Sequence, residues 1–129
     1  FGDSGGRTQY LDWVDWDGDG DLDCLESRSA NQPNYFWRND GGSLSNTWTV
    51  SNNVRTYWSE FADIDGDGDY DIGEGNQQSG SKRVYLYDGG YTTLFHDTDP
   101  EWCCGGRWGD FDGAGDPRRS GAYLCTSVP

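Results

Sequence analysis

The chain has 129 residues, a formal net charge of −14, 16% aromatic residues and 20 glycines. A charge of this sign disfavours binding to nucleic acid or to an anionic membrane surface, and no segment approaches the roughly 20 apolar residues of a membrane-spanning helix. Because the acids are clustered and the aromatics are spread evenly, the composition indicates a folded, cation-binding chain rather than a disordered one.

A repeat of about 48 residues runs through the chain. An acidic segment occurs three times: DWDGDGDLD at 15–23, DIDGDGDYD at 63–71 and, in weaker form, DFDGAGDPR at 110–118. A second landmark occurs twice, as NYFWRNDGG at 34–42 and RVYLYDGG at 83–90, and its last glycines, Gly42 and Gly90, are also 48 residues apart. Two landmarks in register over a full period indicate a repeat array.

Between the landmarks, short segments rich in aromatic and β-branched residues and bounded by turn residues predict strands. In the first unit these are TQYLDWVD (8–15), LDCLES (22–27), NYFWRN (34–39) and TWTVSN (47–52). In the second unit they are TYWSEFAD (56–63), YDIGEG (70–75), RVYLYD (83–88) and TTLFHD (92–97). Four strands per unit predict an all-β fold of four-stranded antiparallel, propeller-like blades.

The chain is expected to form a single repeat domain over residues 1–129. Its blades are predicted at about 8–55 and 56–102, with a partial third blade over 103–129. A closed propeller needs at least about four blades, whereas this chain supplies about two and a half. Because open sheet edges pair with other chains, we expect other copies of the protein as partners, in a ring or a filament.

The acidic loops are candidate metal sites. Ca²⁺ takes six to eight oxygen ligands, often from alternate residues of one short loop. The glycines between the acids let the backbone wrap around an ion, and two Ca²⁺ sites are therefore predicted. The candidate ligands are Asp15, Asp17, Asp19, Asp21 (through its carbonyl) and Asp23 in loop one, and Asp63, Asp65, Asp67, Asp69 and Asp71 in loop two.

The third acidic loop departs from this pattern. Asp110, Asp112 and Asp116 remain, but Ala114 replaces the third carboxylate and Arg118 replaces the last one. The arginine places a positive charge where the ion would lie. We expect this loop to be a degenerate site.

An EF-hand is a competing interpretation of both loops. Glu26 and Glu74 fall at the twelfth position of their loops, as an EF-hand requires. An EF-hand also needs a helix on each side, and the flanking residues are glycine-rich or run into Pro33. These are poor helix formers, so the sequence favours strands.

The order of these motifs resembles the FG-GAP/VCBS repeats. The series W/Y-x₄₋₅-D-x-DGDGD-x-D, followed by a Y-L-Y or Y-F-W strand that ends in N/D-G-G, covers residues 8 to 125. The integrin α-chain head and several lectins carry propellers of this kind. The resemblance implies a Ca²⁺ loop between two strands of one blade, with ligands at positions one, three, five, seven and nine. Glu26 and Glu74 would lie on the outgoing strand, near the ion without binding it or exposed to solvent.

The four cysteines, Cys24, Cys103, Cys104 and Cys125, do not have the spacing of a zinc site. An even number of cysteines beside acidic loops predicts disulfides in an oxidising compartment. A bridge between the adjacent Cys103 and Cys104 would need a strained ring, so we expect one or both to pair with Cys24 or Cys125. A secreted or cell-surface protein follows, and the lack of methionine predicts a processed or excised form.

The tryptophans divide by position. Trp58 and Trp108 precede their loops and recur in the repeat, so we expect them in the core, and Trp16 is expected to contact a blade. Trp48 and Trp102 lack a clear repeat partner and are candidates for stacking on a glycan. The sequence predicts a non-enzymatic, extracellular, Ca²⁺-stabilised protein with a structural or adhesive role, which assembles with other copies; the alternative is a glycan-binding lectin of the propeller type.

Overall fold

The computed structural model describes residues 7–29, 32–50, 55–77, 82–97 and 105–108. These residues contain eight strands and no helix. The strands are β1 (Thr8–Val14), β2 (Asp23–Arg28), β3 (Asn34–Asp40), β4 (Ser43–Val50), β5 (Arg55–Ala62), β6 (Asp71–Gln77), β7 (Lys82–Tyr87) and β8 (Tyr91–Asp97). Each predicted strand is present, with ends displaced by a few residues.

The strands form two four-stranded antiparallel sheets, in the order β1-β2-β3-β4 and β5-β6-β7-β8. We call Thr8–Val50 blade one and Arg55–Asp97 blade two. The repeat extends to the pairing register, since Trp13 is opposite Cys24 in blade one and Phe61 is opposite Ile72 in blade two. The predicted all-β fold of antiparallel blades is confirmed, and the two described blades do not close a ring.

The third predicted unit enters the described structure only as residues 105–108. The rest of the predicted partial blade, with its acidic loop, lies outside the described residues. In the part of the chain that the structure does describe, no helix has the length and hydropathy needed to cross a membrane.

The hydrophobic core lies between the two blades and draws on both. Phe36 of blade one and Phe61 of blade two meet edge to face, with ring centroids 5.5 Å apart. Burial of a side chain of this size contributes roughly 1.5–3 kcal/mol, so the two blades stabilise each other. The buried cluster consists of Leu25, Phe36, Val50, Phe61, Ile72 and Tyr85.

Polar contacts cross the same interface. The Asp12 carboxylate accepts a hydrogen bond from the Phe61 amide at 2.8 Å. The buried Asn34 amide donates to Thr56 Oγ1 and Glu74 Oε1, each at 2.7 Å. Since a buried polar group is costly unless it is hydrogen-bonded, these partners fix how one blade sits on the other.

Glu26 and Glu74 lie on β2 and β6, as the family resemblance implies, but neither is exposed. Glu26 accepts hydrogen bonds from Thr8 Oγ1 at 2.6 Å and from Trp37 Nε1 at 2.9 Å. Burial raises the pKa of Glu74, and its hydrogen bond from Asn34 opposes that rise. The solvent-exposed alternative is therefore wrong, because both side chains are hydrogen-bonded in the interior of the protein, while a place near the ion stays a prediction.

Cys24 carries a free thiol and is completely buried in β2. Burial, with a smaller contribution from Glu26 and then Asp12, raises the pKa of Cys24 to about 12. The expected disulfide to Cys24 is therefore not formed, since the side chain is enclosed by its own blade. The other three cysteines lie outside the described residues.

Residues 105–108 pack against blade two. A Cβ atom built on Gly73 would lie 2.5 Å from the indole of Trp108, and one built on Gly106 would lie 2.9 Å from Trp58. Trp58 is 3% exposed, which confirms its predicted place in the core. Arg107 pairs with Glu60 Oε1 at 2.5 Å. Residues 105–108, which belong to the predicted third unit, therefore pack against blade two as the start of blade two packs against blade one.

Blade two contacts blade one on one side and residues 105–108 on the other. At equivalent positions of these two interfaces, the large and the small residue are swapped. Gly73 of β6 occupies the place that Leu25 has in β2, since they pair with Glu60 and Asp12 respectively. Gly73 leaves room for the large side chain of Trp108, whereas Leu25 packs against the smaller Phe61.

We therefore expect Gly73→Ala to destabilise the fold by about 1–3 kcal/mol, because the added methyl group overlaps the Trp108 ring. Gly105→Ala is the matched control, since nothing lies within 4 Å of its Cβ position, and it should change stability by less than about 0.5 kcal/mol. Urea unfolding followed by tryptophan fluorescence measures both. Equal midpoints for the two variants would show that Trp108 does not pack on Gly73.

Candidate metal centres

Each acidic loop connects the first two strands of its blade, loop one between β1 and β2 and loop two between β5 and β6. Both flanks of both loops are strands, which excludes the EF-hand interpretation. The two loops also share their turn chemistry. Gly18 and Gly20 have φ of 76° and 94°, and Gly66 and Gly68 have φ of 91° and 101°. These left-handed conformations explain why glycine alternates with aspartate.

Aspartate side chains fold each loop back on its own backbone. In loop one, Asp19 Oδ1 accepts from the Asp21 amide at 2.9 Å and Asp15 Oδ2 accepts from the Gly20 amide at 3.1 Å. In loop two, Asp67 Oδ1 and Asp63 Oδ2 accept from the Asp69 and Gly68 amides at the same two distances. The loops are thus two copies of one local structure.

This folding brings carboxylates together in two clusters. In each cluster, one oxygen from every member lies within 4.8 Å of the others, and the members are Asp15, Asp17 and Asp19 in loop one and Asp63, Asp65 and Asp71 in loop two. Like charges at this separation repel each other, so the arrangement is favourable when a cation lies between them. The predicted ligands Asp21, Asp23, Asp67 and Asp69 are not members of the clusters.

One oxygen in the loop-one cluster is placed to bind a cation. Asp15 Oδ1 is buried and accepts no hydrogen bond from any described residue, although its partner Oδ2 is bonded to Gly20. A buried carboxylate oxygen without a donor is costly, and a hard cation is the ligand that carboxylate oxygens prefer. The residues present therefore fit a bound divalent ion.

The ninth residue of each loop has a role that the sequence did not predict. Asp23 is completely buried and accepts from the Trp16 amide and from the Asn39 amide, each at 2.8 Å. Asp71 does the same with the Ile64 amide at 2.6 Å and the Tyr87 amide at 2.9 Å. Each carboxylate therefore ties its loop to the end of the third strand of the blade. We call Asp23 and Asp71 the clasp residues.

The clasp residues differ in their relation to the clusters. Burial raises the pKa of Asp71, and its hydrogen bonds from Tyr87 and Ile64 oppose that rise. Asp71 also belongs to the loop-two cluster, while Asp23 lies outside the loop-one cluster. Asp21 instead accepts from the Gly41 amide at 2.8 Å, which binds loop one to the β3–β4 turn.

Arg38 makes loop one different from loop two. Its Nε lies 2.9 Å from Asp17 Oδ2 and its Nη2 lies 2.6 Å from Asp40 Oδ1. The charges of Asp40 and then Asp17 raise the pKa of Arg38. The residue 48 positions later is Leu86, so the repeat does not place an arginine at this position of blade two. The pair is partly exposed and contributes little to stability, but it places a positive charge beside the loop-one cluster.

The remaining predicted sites divide between the described and the undescribed residues. Trp48 is half-buried on β4 and borders a cleft between the blades. Trp16 contacts both blades, because its ring lies edge-on to Phe36 and to Tyr87 at 5.1 Å each. This confirms its predicted blade contact. Trp102 and the third acidic loop lie outside the described residues.

We expect Asp23→Ala to destabilise the fold by about 2–4 kcal/mol in metal-free buffer, because two backbone amides lose their acceptor. Asp69→Ala is the control: this residue is exposed and outside both clusters, so its removal should change stability by less than about 0.5 kcal/mol. Urea unfolding in excess chelator measures the clasp without the ion. If the two variants unfold at the same midpoint, Asp23 is not a clasp.

A comparison with protein families agrees with this geometry. Residues 15–73, which run from the start of loop one into β6, match the model of the FG-GAP-like repeat family. Neither the curated proteins nor the solved structures contain a match to the chain. The chain therefore carries an FG-GAP-type repeat that includes both acidic loops.

Proposed function

We propose that this protein is an extracellular, Ca²⁺-stabilised β-repeat protein with a structural or adhesive role, not an enzyme, and that it assembles with other copies of itself. The observation that carries the proposal is the pair of carboxylate clusters in an FG-GAP-type repeat, one of which contains a buried oxygen without a hydrogen-bond donor. Such repeats are commonly adhesive rather than catalytic.

Ca²⁺ suits the clusters better than other divalent ions do. The candidate ligands are carboxylate oxygens on a short loop, with no histidine or cysteine among them, which disfavours Zn²⁺. Mg²⁺ keeps several waters and seldom uses an all-protein cage. Two Ca²⁺ ions would place four positive charges against the formal −14 of the chain, at the points where repulsion is greatest.

Ca²⁺ should raise the melting temperature, and excess EDTA should lower it. Binding to the folded state alone stabilises that state by about 2.7 kcal/mol at a hundredfold excess of ligand over Kd. Asp15→Asn keeps an oxygen for the Gly20 amide, and Asp63→Asn keeps an oxygen for one of the two amides, Gly66 and Gly68, that Asp63 accepts from. Each substitution removes one charge from a cluster, so each should lose part of the Ca²⁺ effect.

The control for this experiment is Asp88→Asn, an exposed aspartate in the β7–β8 turn that belongs to neither cluster. It should retain the full Ca²⁺-dependent rise. A wild-type melting temperature that is the same in Ca²⁺ and in EDTA would refute the stabilising role.

The outer face of blade one supports assembly. Trp13 and Leu11 on β1 are 43% and 38% exposed. Trp13, Phe61 and Trp108 each stand two residues before the first aspartate of a loop. Phe61 is 6% exposed in the interface between the blades, and Trp108 packs on Gly73. Among the described residues, none covers Trp13 as blade one covers Phe61, so a blade from another copy would fit over it.

We therefore expect light scattering after size-exclusion chromatography in Ca²⁺ to show an oligomer at micromolar concentration. Trp13→Ser should shift the protein toward monomer, because the apolar contact is lost. Leu94→Ser provides the control, since Leu94 is 59% exposed on β8 of the other blade. A wild-type protein that stays monomeric would rule out self-assembly.

A second candidate function is glycan binding. The observation that favours it is the position of Trp48, which borders a cleft together with aromatic residues of blade two.

A further inference from the structure

A cleft with a volume of about 280 Å³ opens between the two blades. This is near the lower end of the roughly 300–1,000 Å³ of small-molecule sites. Both blades contribute to it, and its walls include Trp16, Phe36, Arg38, Trp48, Tyr87 and Tyr91. Five large aromatic side chains around one opening are more than the contact between two sheets requires.

Most of these residues are absent from the equivalent places of the other blade. The residue 48 positions after Trp16 is Ile64, and the one 48 positions before Tyr87 is Asn39. Arg38 is likewise replaced by Leu86. Each blade forms its four strands without the side chain that the other blade has at the equivalent position. Trp16 and Tyr87 are therefore not needed for the repeat to form a blade.

Trp48 behaves differently and has a repeat partner after all. It pairs with Phe36 as Phe95 pairs with Val84, the residue 48 positions after Phe36. The direct count along the sequence misses this, because the chain from Val84 to Phe95 is one residue shorter than the chain from Phe36 to Trp48. An aromatic residue at this place belongs to the blade, and the cleft forms where it meets the residues that do not repeat.

One wall of the cleft is held rigidly. Trp16 Nε1 donates to Tyr91 Oη at 3.1 Å, and Tyr91 Oη donates to the Tyr70 carbonyl at 3.1 Å. The two clasp residues hold the backbone amides of Trp16 and Tyr87. A site whose side chains are already fixed loses little entropy when a ligand binds.

The other polar groups at the cleft are available to a ligand. The indole N–H of Trp48 and the hydroxyl of Tyr87 make no hydrogen bond with a described residue, although both rings have aromatic contacts. Apolar ring faces beside donors at their edges match a sugar ring, which has a face of C–H bonds and hydroxyls around its rim.

The charges at the cleft favour a neutral ligand. Arg38 faces the cleft and disfavours a cationic guest, but its own charge is balanced by Asp17 and Asp40. The chain as a whole, at −14, disfavours an anionic guest.

We propose that the cleft between the blades binds one neutral pyranose residue of a glycan, which lies against Trp48 and Tyr87 and receives their free hydrogen-bond donors. This inference rests on the second candidate function above and is independent of the Ca²⁺ and assembly experiments.

The test is a tryptophan-fluorescence titration of the full chain in Ca²⁺ with cellobiose, maltose, lactose, mannobiose and diacetylchitobiose. We expect at least one of these neutral sugars to bind with a Kd below about 10 mM. Trp48→Ala should weaken that binding by about tenfold or more, because the stacking face is lost. Tyr87→Phe removes one hydroxyl and should weaken it by about threefold.

Leu94→Ser is the control, because Leu94 is exposed on β8 and lies outside both the cleft lining and the proposed assembly contact, and it should leave the sugar Kd unchanged. Tyr87→Phe keeps the test decisive if Trp48→Ala does not fold. The proposal is overturned if none of the five sugars binds, or if both cleft variants bind as the wild type does. Tighter binding of glucuronate or tetramethylammonium than of every neutral sugar would also overturn it, since the cleft would then select charge.

Discussion

Each blade depends on one buried carboxylate, Asp23 in blade one and Asp71 in blade two. Each accepts one amide from its own acidic loop and one from the end of the third strand. A buried carboxylate requires such partners, because its desolvation is costly without them. The contact fixes the loop over the blade and thereby positions the carboxylate clusters. It also fixes the backbone of Trp16 and Tyr87, which both line the interblade cleft.

Hydrogen bonds within the acidic loops explain why these loops can fold despite their negative charge. The loops use their own aspartates as acceptors for their own amides, so part of the negative charge is already hydrogen-bonded before any ion is present. What remains is concentrated in two clusters, and Arg38 lies beside the loop-one cluster. A cation in each cluster would complete an arrangement that the backbone has prepared.

Much of the fold could be predicted from the sequence, because the strand segments, the acidic loops and the turn residues each occur in both repeat units. Eight strands, their division into two blades and the placement of the loops follow from the spacing and from the turn residues. The buried polar groups could not be predicted in this way. Glu74 is hydrogen-bonded to Asn34, which lies 40 residues earlier in the other blade, and no local sequence pattern predicts that contact. The sequence predicts a disulfide for Cys24 because the cysteine content indicates an oxidising compartment. The composition does not indicate which side chains of a strand are buried. The recurrence of Glu26 as Glu74 was the one signal that these acids have a common structural role.

The two interfaces of blade two show how the array can extend. Phe61 against Leu25 and Trp108 against Gly73 are versions of one contact, with the volume shifted from one partner to the other. The central claim is nevertheless the pair of Ca²⁺ sites, since the proposed stabilisation and assembly build on them. Native mass spectrometry of the chain in millimolar Ca²⁺ tests it most directly. The account predicts two Ca²⁺ ions per chain, and one ion per chain in Asp15→Asn or Asp63→Asn; a chain that carries no Ca²⁺ would contradict it.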